Sequence, residues 1–172
     1  NEAKKAYNKA ILIAPNHINA HIKLGHAFLD QDKIDDATQV FQKVIAFDKN
    51  NALAHFNLGQ VLLKTNSLKK GFEKYEYRWK LKQYLSEWRN FSKPIWNRKI
   101  VLNSKSLLIW SEQGIGDTLI WSSYLPILAS KAQHCILECQ EKIVPLLKRS
   151  FPKIEVKPEN RELDTKREDF DF

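Results

Sequence analysis

The first half of the chain repeats itself with a period of 34 residues. The matching positions are Ala20-His21 with Ala54-His55, Leu24-Gly25 with Leu58-Gly59, Ala3 with Ala37 and Gly71, and Tyr7 with Phe41 and Tyr75. A period of 34 with small and large residues at fixed phases is typical of stacked helix–turn–helix units. The small residues let two helices approach closely, and the aromatic residue fills the space beside them.

Hydrophobic spacing and helix-breaking residues predict five helices in this half. They are expected over residues 1–14, 19–30, 35 to beyond 44, 51–64 and 68–91. Pro15 ends the first helix, because proline cannot continue a helix interior. Asp35 is expected to cap the third. The last is predicted as one long helix, whose Trp79 and Trp88 bury against the module that follows.

A strand–helix alternation replaces the repeat after residue 91. Ser92-Lys93-Pro94 breaks the last helix, so residues 92–105 are expected to form a connector. Strands are predicted over residues 106–111, 134–140 and 154–156, and helices over residues 118–131 and 141–150. The expected fold class is therefore α plus α/β: helical repeats over residues 1–91, then the first half of a Rossmann-like parallel sheet over residues 106–172.

The segment Gly114-Ile115-Gly116-Asp117 is predicted as a loop between a buried strand and a helix. Ligands bind at this edge of an open parallel sheet, and glycines there let the backbone approach them. The segment lacks the third glycine of a dinucleotide fingerprint and the Lys-Ser/Thr of a P-loop. Two interpretations stay open: a ligand-facing carboxylate, or a turn in which Asp117 only caps the helix.

The segment Glu112–Leu119, followed by Tyr124–Leu128, resembles a stretch in bacterial tetratricopeptide-repeat proteins fused to a glycosyltransferase-like domain. That domain is similar to the heptosyltransferases, glycosyltransferase family 9, which have the two-domain GT-B architecture. Two positions depart from the family pattern. Ser123 stands where we expect an arginine, and Arg98 stands where we expect a glycine.

The resemblance implies that Asp117 is the base that deprotonates a sugar acceptor. The substrate-binding residues it implies are Gln113, Gly114, Gly116 and Thr118. The nucleotide sugar would bind a second Rossmann-like domain that this chain does not contain, so no cofactor is expected here. A chain without Met that begins inside a repeat is expected to be a fragment, inactive by itself. The alternative is a non-catalytic protein–protein interaction scaffold, and whether the parent is an enzyme stays open.

The first helix of each repeat is expected to line a concave groove that binds a protein or peptide. The non-core positions of these helices are Asn19, His21, Lys23, His26, His55, Asn57 and Gln60. The histidines show no metal-ligand spacing, so no metal site is predicted.

The net charge of +8 is concentrated in one stretch. Residues 64–105 carry twelve Lys and Arg against three Asp and Glu. Such a field can attract an anion, a nucleic acid or an acidic membrane, and it is also typical of a solvated lysine-rich helix. The aromatic residues of this stretch could stack on bases. Because they recur at helical spacing, we favour packing over nucleic-acid binding.

Cys135 and Cys139 lie four residues apart in a predicted strand, too far apart for a disulfide. Buried reduced thiols predict a cytoplasmic protein. No apolar run reaches membrane-spanning length.

Overall fold

The computed structural model describes residues 2–85, 87–112 and 114–172. The α-helices are α1 Glu2–Ile13, α2 Ile18–Leu29, α3 Ile34–Phe47, α4 Ala52–Lys64, α5 Leu68–Tyr75, α6 Ile115–Ser122, α7 Leu125–Ala129 and α8 Val144–Ser150. The strands are β1 Ser106–Trp110, β2 His134–Cys139 and β3 Glu155–Pro158. Short 3-10 helices cover Glu76–Lys80, Lys82–Tyr84, Glu141–Ile143 and Arg161–Lys166. The chain divides into two compact units, Asn1–Ser86 and Glu87–Phe172.

Close helix contacts in the first unit depend on its repeated glycines. A Cβ atom added at Gly25 would lie 2.5 Å from the Phe41 ring, and one added at Gly59 would lie 2.6 Å from the backbone nitrogen of Tyr75. The core of this unit contains Ile22, Ala37, Phe41, Val44, Ala54, Leu58 and Val61. The expectation that small residues permit close helix packing is confirmed.

The 34-residue period is also visible in the turns between paired helices. Asp32 and Asn66 occupy the same phase, and both are left-handed, with φ of 55° and 60°. Asp and Asn tolerate this conformation better than most residues. A backbone hydrogen bond closes each turn at the same phase. The Lys33 N–H donates to the Phe28 carbonyl, and the Ser67 N–H donates to the Leu62 carbonyl.

The end of the first unit differs from the predicted long helix. The prediction of one helix over residues 68–91 is wrong, because α5 ends at Tyr75 and two 3-10 helices follow. Trp79 and Trp88 consequently fall in different units. Asp35 does not cap α3, since the helix begins one residue earlier, after Lys33.

The second unit contains a parallel sheet with strand order β1-β2-β3. One face of the sheet carries the apolar core beneath the helices, including Leu107, Leu137 and Val156. The other face carries Leu108 and Ile136. The helix expected over residues 118–131 is instead the pair α6 and α7, and it starts before Asp117 rather than after it.

The end of the chain returns to the free edge of β1. The N–H of Leu108 donates to the Phe172 carbonyl at 2.7 Å, and the N–H of Phe172 donates to the Ser106 carbonyl at 3.3 Å. This is the pattern of a parallel strand pair, so β1 lies between β2 and the terminal residues. Among the described residues, no helix is long and apolar enough to cross a membrane.

Candidate functional site

The Gly-Asp segment lies where the sequence places it, at the carboxyl end of β1. The strand ends at Trp110 and α6 begins at Ile115, so Asp117 is in the first turn of the helix. Its side chain is exposed, and no hydrogen bond or ion pair engages it among the described residues. The carboxylate is therefore accessible to a ligand, and no ion pair to it occurs among the described residues.

The interpretation of Asp117 as a helix cap is wrong. Gly114 occupies the cap position, and it provides no side-chain hydrogen bond. The turn is held instead by Thr118, which is buried and whose hydroxyl donates to the Gly114 carbonyl at 3.2 Å. Thr118 thus has a structural contact of its own, and Gln113 lies outside the described residues.

The two glycines of the segment leave open space. No atom lies within 4 Å of a Cβ added at Gly114 or Gly116, unlike the crowded glycines of the repeats. Neither has a positive φ. The backbone turn therefore does not require glycine, and what glycine provides here is room beside Asp117.

The two repeat-phase histidines of the predicted groove support the turns that precede their helices. His21 and His55 are both buried. The ring Nε2 of His21 lies 2.8 Å from the Pro15 carbonyl, and that of His55 lies 2.9 Å from the Lys49 carbonyl, one period later. These carbonyls accept, so each Nε2 donates. The two rings have a structural role that the repeat alone did not reveal.

The other groove positions differ in exposure. Asn19, Lys23 and Gln60 are exposed, whereas His26 is half-buried with its ring at the edge of Phe41. Asn57 is buried, and its Nδ2 has no hydrogen-bond partner within the part of the chain that the structure describes. A groove formed by this set stays a prediction.

Cations and aromatic rings close the end of the helical unit. The Tyr77 ring stacks on His55 with centroids 3.9 Å apart, and the Lys80 ammonium lies 4.8 Å from the centroid of Tyr77. Lys74 Nζ is 3.1 Å from His55 Nδ1. Tyr84 packs on Phe56. These rings contact α4 directly, so they cover the last repeat, as expected of a terminal cap in a repeat stack.

A buried ion network in the second unit was not predicted from the sequence. Glu138 of β2 is 2% exposed and contacts two arginines, with its Oε2 2.7 Å from Arg89 Nη2 and its Oε1 against Arg167 Nη1. Arg89 also pairs with Asp164, and Arg167 pairs with Asp169. The network joins β2 to Arg89, which precedes the strands in the sequence, and to residues 164–169, which follow them. It covers the face of the sheet that carries Leu108.

The network alters the pKa values of its members. Burial lowers the pKa of Arg89, but hydrogen bonds to Asp164 and Glu138 outweigh burial and raise it. Hydrogen bonds from Arg167 lower the pKa of Asp169 to about 2. The feature of the sequence that indicates this network is a glutamate inside an apolar strand, because a buried charge requires a partner.

The structure shows no metal site within the described residues. Cys135 and Cys139 are free and buried. Burial, together with the charge of Glu138, raises the pKa of Cys139 to about 11, so this thiol is unreactive at neutral pH.

The family described as TPR repeat matches residues 25–66, and that described as tetratricopeptide repeat matches residues 1–17. The chain is similar to protein FlbA of Caulobacter vibrioides, with 27% identity over 158 residues, covering 87% of this chain and 26% of the relative. It therefore spans about a quarter of that relative's length.

Solved structures that are similar to the chain include a MamA and an O-GlcNAc transferase. The crystal structure of MamA has 21% identity and a TM-score of 0.43, with 49% of each chain covered. An O-GlcNAc transferase mutant from Thermobaculum terrenum has 14% identity and a TM-score of 0.43, covering 93% of this chain and 38% of the other. Both family matches, to tetratricopeptide repeats, lie within the helical unit.

Proposed function

We propose that this chain belongs to a repeat-containing glycosyltransferase-like protein. Its repeats bind a protein or substrate partner, and its α/β unit provides the acceptor side of a GT-B cleft. The nucleotide sugar binds through a second domain that this chain does not contain. The protein acts in the cytoplasm, in keeping with two free, buried thiols.

The observation that carries the catalytic part of the proposal is the setting of Asp117. It is an exposed carboxylate beside two glycines with open space, at the carboxyl end of a parallel strand. Transfer of a sugar to a hydroxyl requires a base within hydrogen-bond reach of that proton. Asp117 has no competing hydrogen-bond partner among the described residues, so it is free to accept one from an acceptor.

The test is Asp117→Asn in the full natural protein, assayed as nucleotide release from a panel of nucleotide sugars. Loss of a general base should lower kcat by about 10²–10⁴-fold while the fold is retained. Asp36→Asn is the matched control, because Asp36 is also exposed and also the third residue of its helix. Normal turnover by Asp117→Asn would refute the catalytic role. The 172-residue chain alone should show no turnover.

The repeats are tested separately with a peptide array. Lys23→Glu and Gln60→Ala change exposed positions of α2 and α4, so we expect weaker binding of the peptides retained by the wild type, with helicity unchanged. Lys43→Glu, an exposed change on α3, is the control. Equal binding by all three variants would contradict a groove on the first helices.

A second candidate function is a scaffold without catalytic activity. The tetratricopeptide-repeat matches favour it, since such repeats form extended binding surfaces without chemistry of their own. A natural protein that binds peptides through its repeats but releases no nucleotide from any nucleotide sugar would support the scaffold.

A further inference from the structure

Basic side chains gather at one edge of the sheet in the second unit, the amino edge, where its strands begin. They are Lys131, just after α7, and Lys148, Arg149 and Lys153, at the end of α8 and just after it. All of these side chains are exposed, and no ion pair engages them within the part of the chain that the structure describes. This group, the basic edge, therefore keeps its full positive charge.

The topology of the sheet separates these cations from the carboxylates of the same helices. Because the strands are parallel, each connection leaves the carboxyl edge of the sheet and returns the chain to the amino edge. Asp117 and Glu141 lie where the two connections start, whereas the basic edge lies where they finish. Leu125 of α7 and Leu147 of α8 share one core, so both connections cover the same face of the sheet.

The carboxylates at the amino edge already have cationic partners. Glu155, at the start of β3, contacts Lys157 at 2.7 Å. Asp171 accepts a hydrogen bond from the N–H of Ser106, at the start of β1, and contacts Lys105 at 3.2 Å. A ligand of the basic edge therefore has to bring negative charge of its own.

Exposed apolar side chains lie on the same helices as the basic edge. Ile127 of α7 is 53% exposed, and Leu146 of α8 is 40% exposed. Trp121 and Tyr124 are also about half exposed, and their ring centroids are 5.9 Å apart. A phosphate backbone offers such side chains no apolar contact. The surface of a bilayer accepts aliphatic residues, Trp and Tyr below the headgroups, and its anionic headgroups attract Lys and Arg.

We infer that the basic edge and these apolar side chains bind the surface of a bilayer that contains anionic phospholipid. The cations contact the headgroup phosphates, and Ile127 and Leu146 enter the boundary between headgroups and acyl chains. Asp117 lies at the opposite edge of the sheet, outside this contact, and stays accessible to an acceptor. The inference does not depend on transferase activity, so its failure would leave the proposed function untouched.

The test is sedimentation of the purified 172-residue chain with vesicles of phosphatidylcholine, with or without an equal part of phosphatidylglycerol. We expect binding to the mixed vesicles only, and weaker binding at high salt, because salt screens exposed charges. Each Lys or Arg near an anionic surface strengthens binding by about fivefold. Lys148→Gln combined with Arg149→Gln should therefore weaken binding by roughly 25-fold.

The matched control is Lys69→Gln combined with Lys70→Gln. These lysines are also adjacent and exposed, but they lie on α5 in the first unit, so the control should bind as the wild type does. If the α8 variant loses its circular dichroism spectrum, Lys131→Gln and Lys153→Gln replace it, each with an expected loss of about fivefold.

Insertion of the apolar side chains is measured without any charge variant. Brominated phospholipid in the mixed vesicles should quench tryptophan fluorescence, and Trp121→Phe should remove the quenched component. A wild-type chain that does not sediment with the mixed vesicles would overturn the inference. Full binding by the α8 variant, or an equal loss in the α5 control, would overturn it as well. Binding to polyglutamate but not to the vesicles would assign the surface to an acidic protein instead.

Discussion

Replacing Glu138 by glutamine should destabilise the second unit by about 3 kcal/mol. Glu138→Gln keeps the shape of the side chain and removes the charge that faces Arg89 and Arg167. The Arg89 side chain is 0% exposed and that of Arg167 is 7% exposed, so water cannot replace the lost carboxylate. Breaking a buried ion pair by removing one partner costs about 3–5 kcal/mol. The lower end applies because Asp164 and Asp169 still pair with the two arginines.

The measurement is urea unfolding followed by circular dichroism, together with amide hydrogen exchange. Protection at the Leu108 N–H should fall, because its acceptor is the Phe172 carbonyl and Arg167 helps to hold that segment. Glu141→Gln is the control, since Glu141 is exposed and begins the 3-10 helix that follows β2. If Glu138→Gln loses less than about 1 kcal/mol and Leu108 stays protected, the network does not hold the terminal segment in place.

Three further predictions concern backbone space, backbone strain and acid. Gly59→Ala should destabilise the helical unit by about 1–3 kcal/mol in thermal unfolding, because its Cβ meets backbone atoms, whereas Gly116→Ala, with open space, should not destabilise the protein. Arg98→Gly should raise stability by about 1 kcal/mol, since Arg98 has a φ of 65° and glycine adopts this conformation without strain; an unchanged midpoint would contradict this. The Asp169 pKa is lowered in the folded protein, so its stabilisation is present above pH 4 and is lost as the pH falls towards 2. In Asp169→Asn, the free energy of unfolding in urea should change less between pH 4 and pH 2 than it does in the wild type.

The sequence by itself determined the features that repeat or alternate over short distances. The 34-residue register located the paired helices and their close-packed glycines, and the strand–helix alternation located the parallel sheet. These features are visible in the spacing of residues along the chain, so they are readable without a structure. At Arg98, where we expected glycine, the backbone is left-handed, and glycine adopts this conformation without strain.

The tertiary structure decided what depends on contacts between distant residues. Arg89 and Asp164 are 75 residues apart in sequence, and no local pattern pairs them. The early end of α5 also depends on contacts with another helix. The rings of Tyr77 and Tyr84 pack on residues of α4, and a continuous helix would point these rings in other directions. The burial of His21 and His55 against turn carbonyls also became visible only in three dimensions. Helical spacing gives the side of a helix on which a residue lies, whereas the partner it meets depends on how the whole unit packs.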